Sequence, residues 1–192
     1  MIRALVFDCF GVFYTDPVFA YMRDSRTPSE KAKALHSLDK QAARGMLNKP
    51  GFITQAASLL GITPLEAGQQ FFHSDDRNVQ LVKLVQELRK SYKIGMLSNI
   101  GGDMMDGFFS PKERKQLFDE VILSGDVKMA KPDKGIFELI CQRLGVKLDE
   151  AVMIDDQQST CDTVKTFGMH SICYKDFEQF KIELDSLISR TQ

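Results

Sequence analysis

Four short apolar runs punctuate the chain, each stopped by polar or small residues. The first spans Ile2 to Phe7 and stops at Asp8. The second is Ile94-Gly95-Met96-Leu97, before Ser98-Asn99. The third is Glu120-Val121-Ile122-Leu123, before Ser124-Gly125. The fourth is Ala151-Val152-Met153-Ile154, before Asp155-Asp156. A weaker fifth run covers His170 to Tyr174. Runs of this kind suit strands buried on both faces of a parallel sheet. Helix-period segments lie between them: Val79 to Lys90, Lys134 to Leu144 with Gly145 as its stop, Thr160 to Phe167 closed by Gly168, and Phe177 to Ile188. The alternation predicts an α/β, Rossmann-like, doubly wound fold.

The stretch from about Tyr14 to Asp76 breaks the alternation. It carries helical patterns at Pro17 to Arg23, Pro28 to Arg44, Phe52 to Leu60 and Pro64 to Phe72, and no clear strand. Thr63-Pro64-Leu65-Glu66 reads as a helix start, with Thr63 as cap and Glu66 at the third position. The simplest organisation is an α/β core of residues 1–13 and 91–192, with an all-helical insertion over 14–90. Such an insertion would lie over the carboxyl ends of the strands as a cap.

Composition narrows the function classes. Hydrophobic residues are 43% and charged residues 27%, as in a folded globular chain. Lys plus Arg is 25 against 26 Asp plus Glu, which gives no global attraction to nucleic acid or to an anionic membrane. No apolar run approaches a membrane span, and the N-terminus has no secretory-type apolar region. Cys9, Cys141, Cys161 and Cys173 are scattered and read as free thiols. A cytoplasmic location is the expectation. His36, His73 and His170 make no zinc-ligand spacing.

Ligands of an open parallel sheet bind outside the carboxyl ends of its strands. Here those ends carry Asp8, Ser98-Asn99 and Asp155-Asp156, and Lys131 follows the third run in Lys131-Pro132-Asp133. Carboxylates hold Mg²⁺, and a lysine neutralises phosphoryl oxygens. A divalent cation with a phosphate fits that set.

Phe7-Asp8-Cys9-Phe10-Gly11-Val12, Leu97-Ser98-Asn99, Lys131-Pro132-Asp133 and Ile154-Asp155-Asp156 resemble, in order and strand context, the four motifs of the haloacid dehalogenase (HAD) superfamily. The match spans residues 4 to 174, and the helical insertion resembles the family's C1 cap. Within the family the chain looks most like the sugar-phosphatase and epoxide-hydrolase N-terminal phosphatase branch. The resemblance implies roles. Asp8 would be the nucleophile, forming an aspartyl-phosphate, and would bind Mg²⁺ with its other oxygen. The Phe10 carbonyl and Asp156 would complete the protein ligands, with Asp155 beside them. Ser98 would hydrogen-bond the phosphoryl group, helped by the Asn99 amide, and Lys131 would steady Asp8 and the phosphoryl charge. The implied partner is a small phosphorylated metabolite; monomer and homodimer both stay open.

One departure matters. Phosphatases of the family usually carry an aspartate two residues after the nucleophile, which protonates the leaving group and then activates water against the aspartyl-phosphate; here that position is Phe10. Loss of a general acid–base costs roughly 10²–10⁴-fold in rate, or about 3–5 kcal/mol of barrier. Three readings follow: a phosphatase working without this acid, a 2-haloacid dehalogenase, whose halide needs no proton, or a catalytically weak domain that binds a phosphorylated ligand or a protein. The paired Asp155-Asp156 favours a metal site and so the first.

Other residues receive plainer expectations. Asp133 reads as the cap of the Lys134 helix, Asp103 and Asp106 as solvated loop residues, and Cys9 as small-side-chain packing. His73, where the insertion rejoins the core, reads as a surface histidine within reach of the site. Phe10, Phe13, Tyr14, Phe19 and Tyr21 read as packing that makes the cap side of the pocket apolar.

Overall fold

The structure is a computed structural model and describes residues 1–191. Five parallel strands form one sheet: β1 (Ala4–Phe7), β2 (Lys93–Ser98), β3 (Glu120–Leu123), β4 (Ala151–Asp155) and β5 (His170–Cys173), in the order β3-β2-β1-β4-β5. β1 and β4 are buried throughout, while the edge strands β3 and β5 are partly exposed. Strand residues alternate between two apolar layers. Leu5, Phe7, Met96, Val152 and Ile154 enter one layer, while Ala4, Val6, Leu97 and Met153 enter the other.

Helices α1 (Pro17–Arg23), α2 (Ser29–Ala43), α3 (Lys49–Leu60) and α4 (Pro64–Phe72) follow β1 and pack against one another. Phe52 sits edge-on to Phe71 and Phe72, with centroids at 5.8 and 5.4 Å. Thr63 and Glu66 form the expected capping box of α4. The chain then enters α5 (Val79–Leu88), β2, the short α6 (Gly102–Met105), α7 (Pro111–Leu117), β3 and the short α8 (Ser124–Val127). It ends with α9 (Lys134–Leu144), a 3₁₀ turn at Leu148–Glu150, β4, α10 (Gln158–Thr166), β5 and α11 (Phe177–Thr191). Leu81 and Val85 of α5, Leu117 of α7 and Phe180 of α11 cover one face of the sheet. Ile136 and Ile140 of α9 and Val164 of α10 cover the other.

Where the helical unit meets the core, polar contacts tie it down. Ser124 Oγ donates to the Ala43 carbonyl, and Lys128 Nζ to that of Gly45 at 3.0 Å. The Lys49 N–H donates to Asp103 at 2.7 Å, so Asp103 is a strut rather than a free loop residue; Asp106 likewise pairs with Arg114 at 2.8 Å. Behind β1, Asn78 fixes the returning chain. Its N–H donates to the Phe13 carbonyl, and its amide donates to the Val12 carbonyl and to Tyr174 Oη.

Several boundaries differ from the sequence expectation for physical reasons. Helix α3 begins at Lys49 rather than Phe52: Asn48 caps it through the Gly51 N–H, and Pro50 is harmless in a first turn. Helix α7 went unpredicted, although Ser110 and Glu113 form a second capping box with Pro111 at the first position. Its body is polar, with Leu117 as its buried residue, so it shows little periodicity. Asp133 stands at the N-cap position of α9, but its side chain makes no capping bond. Gly145 closes α9 with a left-handed φ of 70°, as expected.

Phe13 anchors the loop after β1 in the core. It is fully buried, with its ring against Phe7, Phe109 and Phe118. Phe13→Ala is expected to cost about 3–5 kcal/mol of stability, read from the urea midpoint; a cost under 1 kcal/mol would show that this anchor is dispensable.

Candidate functional site

The site follows from strand register. Phe7 of β1 pairs with Ile154 of β4 on one side and with Met96 of β2 on the other. The next residues, Asp8 and Asp155, therefore leave adjacent strands together, and Ser98 ends β2 beside them. β1 is the middle strand, and the order reverses around it, which opens a crevice at the carboxyl ends.

Lys131 bridges the two carboxylates. Its Nζ lies 2.7 Å from Asp8 Oδ2 and 2.6 Å from Asp155 Oδ2, and all three residues are buried. Asp8 Oδ1 accepts the Cys9 N–H at 2.7 Å, and Asp155 Oδ1 accepts the Gln157 N–H at 2.9 Å. Burial pushes the Asp8 carboxyl up to about 7; the Lys131 charge opposes this and Asp155 adds to it. Burial would lower Lys131, but Asp155 and Asp8 hold its ammonium above the ordinary lysine range. Asn99 fixes the lysine from behind. Its Oδ1 accepts the Lys131 N–H at 2.8 Å, and its Nδ2 donates to the Lys131 carbonyl at 3.0 Å. The Asn99 side chain, expected at a phosphoryl group, is thus committed to positioning Lys131.

Asp156 completes the cluster. Carboxylate oxygens of Asp8, Asp155 and Asp156 all lie within 4.8 Å of one another. Burial and the neighbouring Asp155 charge push Asp156 upward, while Gln157 Nε2 donates to it at 2.9 Å. Gly11 makes room for this residue: its φ is 73°, and a Cβ there would stand 2.2 Å from Asp156 Cγ. Three converging carboxylates are a donor set that could hold a hard divalent cation, while the Lys131 ammonium, itself a cation, offsets part of their charge. The remaining oxygens of the cluster are what such an ion takes.

The cluster floors a cavity of about 480 Å³ that the cap helices roof. Ser98 Oγ lines it, fully buried and with no hydrogen-bond partner among the described residues. The Phe10 ring also lines it, packed edge-on to Phe108 with centroids 4.8 Å apart. From the cap come Asp16, Phe19, His36, Asp39 and Phe52. In the sequence, Asp16 and Asp39 carry no site role, and His36 is weighed only as a zinc ligand. Asp16 precedes Pro17 and caps α1 through the Val18 and Phe19 N–H groups, a readable signal, but one of local structure. His36 and Asp39 flank Leu35 and Leu38 at the edge of an ordinary amphipathic face. Burial and Asp16 push Asp39 up to about 7, and Lys40 works against them.

Two other expectations resolve. His73 is exposed, 3.7 Å from Asp75, and is not among the residues lining this cavity. Cys9 is buried with its thiol 3.9 Å from Met105 Sδ, and burial pushes its pKa well up, so it packs rather than reacts.

Lys131→Met leaves two buried carboxylates facing each other. It is expected to cost about 3–5 kcal/mol at pH 7.5. Without the lysine the folded-state pKa of the pair rises, so stability should return as pH falls through it. Denaturant midpoints from pH 7.5 to 5 check this; an unchanged midpoint at pH 7.5 would show that the bridge carries no stability.

The comparisons with known proteins agree with this fold. The model of the haloacid dehalogenase-like hydrolases matches residues 2–165. A curated relative, (S)-2-haloacid dehalogenase 4A of Burkholderia cepacia, is 24% identical over 190 residues, covering 89% of this chain and 82% of that protein. Among solved structures, a HAD family enzyme of Bacteroides thetaiotaomicron in complex with magnesium and inorganic phosphate superimposes with a TM-score of 0.73 at 21% identity, over 91% of this chain and 95% of that one. The L-2-haloacid dehalogenase of Xanthobacter autotrophicus gives 0.66 at 20% identity, over 97% and 83%. With a parallel sheet, a roofed carboxyl-end cavity and a family match over most of its length, this chain belongs to the haloacid dehalogenase-like hydrolase family.

Proposed function

We propose that the protein hydrolyses a small-molecule phosphate monoester, with Mg²⁺, through an aspartyl-phosphate on Asp8. The observation that carries this reading is the three-carboxylate cluster of Asp8, Asp155 and Asp156 beside an unpartnered, buried Ser98 hydroxyl. Asp8, Asp156 and the Phe10 carbonyl would hold the cation, with Asp155 supporting them through Lys131. Bound there, the ion would neutralise phosphoryl charge and favour the ionised form of Asp8.

The protein's own groups account for the rest. An Asp8 carboxylate oxygen attacks phosphorus, and the bond to the leaving-group oxygen breaks. Lys131 and the Ser98 hydroxyl stabilise the charge on the non-bridging oxygens. The leaving oxygen takes its proton from solvent or from the substrate itself, because a phenyl ring at position 10 supplies none. Water then attacks phosphorus, the acyl-phosphate bond breaks, and Asp8 and inorganic phosphate are released. The roofed cavity, formed by the helical segment within 14–90, suits a small substrate better than a protein.

Dehalogenation is the second reading. It is favoured by the aromatic Phe10 and by the dehalogenase relative along most of the chain. In it, Asp8 would displace halide from carbon and the Asp156 carboxylate would have no ligand to hold.

Asp8→Asn is expected to abolish phosphate release from a panel of phosphomonoesters with the fold intact by circular dichroism; undiminished release sinks the proposal. Phe10→Asp is expected to raise turnover of esters with poor leaving groups by roughly 10²-fold or more, since it restores a proton donor to an otherwise complete site. Esters with good leaving groups should gain less, through activation of water against the aspartyl-phosphate alone. No gain on either kind would show that proton transfer is not what limits the enzyme.

A further inference from the structure

The core side of the cavity is explained by a phosphoryl group. The cap side is not. Asp39 on α2 lines the cavity, yet its carboxyl accepts no hydrogen bond and forms no ion pair with any described residue. One helical turn earlier, His36 lines the same cavity, and its Nδ1 is buried without a partner among the described residues. A buried acceptor left unpaired, as His36 Nδ1 is, costs stability, while Asp39, half-buried on the cavity wall, is an acceptor open to a ligand. The charged groups facing Asp39 do not resolve it: Asp16 repels it, and its attraction comes from Lys40, whose side chain is exposed. Asp16 uses its Oδ1 to cap α1 through the Val18 and Phe19 N–H groups. Burial and the nearby Lys40 charge keep His36 neutral, so its Nδ1 is free to accept in the Nε2-protonated tautomer.

Resting on the phosphatase reading above, we propose that His36 and Asp39 form a leaving-group subsite, and that the substrate is the phosphate monoester of a small alcohol bearing a second hydrogen-bond donor, an amine or a hydroxyl. The phosphoryl group lies at Asp8, Ser98 and Lys131. The organic part crosses a wall that includes Phe19 and Phe52, and its N–H or O–H donates to the Asp39 carboxylate and to His36 Nδ1. An alkyl ester lacking the donor leaves both acceptors unpaired and is discriminated against for that reason.

The test uses three esters: propyl phosphate and its analogues with a terminal hydroxyl and with a terminal amine. kcat/KM is measured for wild type, Asp39→Ala and Asp39→Asn. In parallel, dissociation constants are measured by calorimetry on Asp8→Asn with and without Asp39→Ala. The wild type is expected to prefer the donor-bearing esters by roughly 10- to 100-fold. Asp39→Ala should abolish that preference, mainly through KM, while Asp39→Asn, which keeps an acceptor, should retain it for the hydroxyl ester and lose it for the amine. No preference in wild type, or one that survives Asp39→Ala, overturns the subsite. If no ester is turned over, the phosphatase reading fails by itself. Binding then decides: a preference that depends on Asp39 upholds the subsite, and its absence removes it.

Discussion

The site depends on one contact, the Lys131 ammonium held between Asp8 and Asp155. Parallel pairing of β1 with β4 forces these carboxylates side by side, in a place where little water reaches them. Two like charges so placed repel, and burial disfavours each singly. The lysine answers both penalties, and the fold invests in holding it. Asn99, from the end of β2, grips the Lys131 backbone with two hydrogen bonds, and Gln157 fixes the far oxygen of Asp155. Three strand ends are thereby locked to one ammonium. These hydrogen bonds and ion pairs fix the position of the ammonium, as preorganised electrostatic stabilisation requires.

Much of this was legible in the sequence because the chain states it twice. The apolar run before Asp8 and the one before Asp155-Asp156 mark buried parallel strands, and the polar residue ending each run marks a carboxyl end. The register that sets Asp8 beside Asp155 comes from the pairing of β1 with β4. What was not legible had local causes. Asn99 reads as a phosphate ligand, yet its amide finds the Lys131 backbone, a pairing thirty-two residues away that no spacing encodes. Helix α7 hides because its stability comes from a capping box and one buried leucine rather than an apolar stripe. His36 and Asp39 look like the polar margin of an amphipathic helix. Their meaning comes from the cavity they border, which exists once α2 is laid over the strand ends.

Phe10 is where chemistry and packing meet. At a position where an acid would be expected to reach into the site, the ring instead packs against Phe108 and lines the cavity. The loop that carries it is tightly tied: the Cys9 carbonyl accepts the Phe13 and Tyr14 N–H groups, and the Gly11 N–H donates to the Tyr14 carbonyl. The main chain needed for the cluster is thus kept while the side chain becomes part of the cavity wall. The polar groups that would meet an organic leaving group come instead from the cap. On this account the core supplies attack on phosphorus and the helical roof supplies recognition. That division explains how an acid can be absent while Asp8, Ser98, Lys131 and Asp156 all remain.

The central claim is that Asp8 attacks phosphorus. It is tested most directly by quenching turnover in acid and mapping the peptide that contains Asp8 by mass spectrometry. The account predicts an adduct with the mass of one phosphoryl group on Asp8, formed with Mg²⁺ and lost with chelator. Turnover of phosphoesters with no such adduct would contradict it, as would a chelator-insensitive alkyl ester on Asp8 formed from a haloacid.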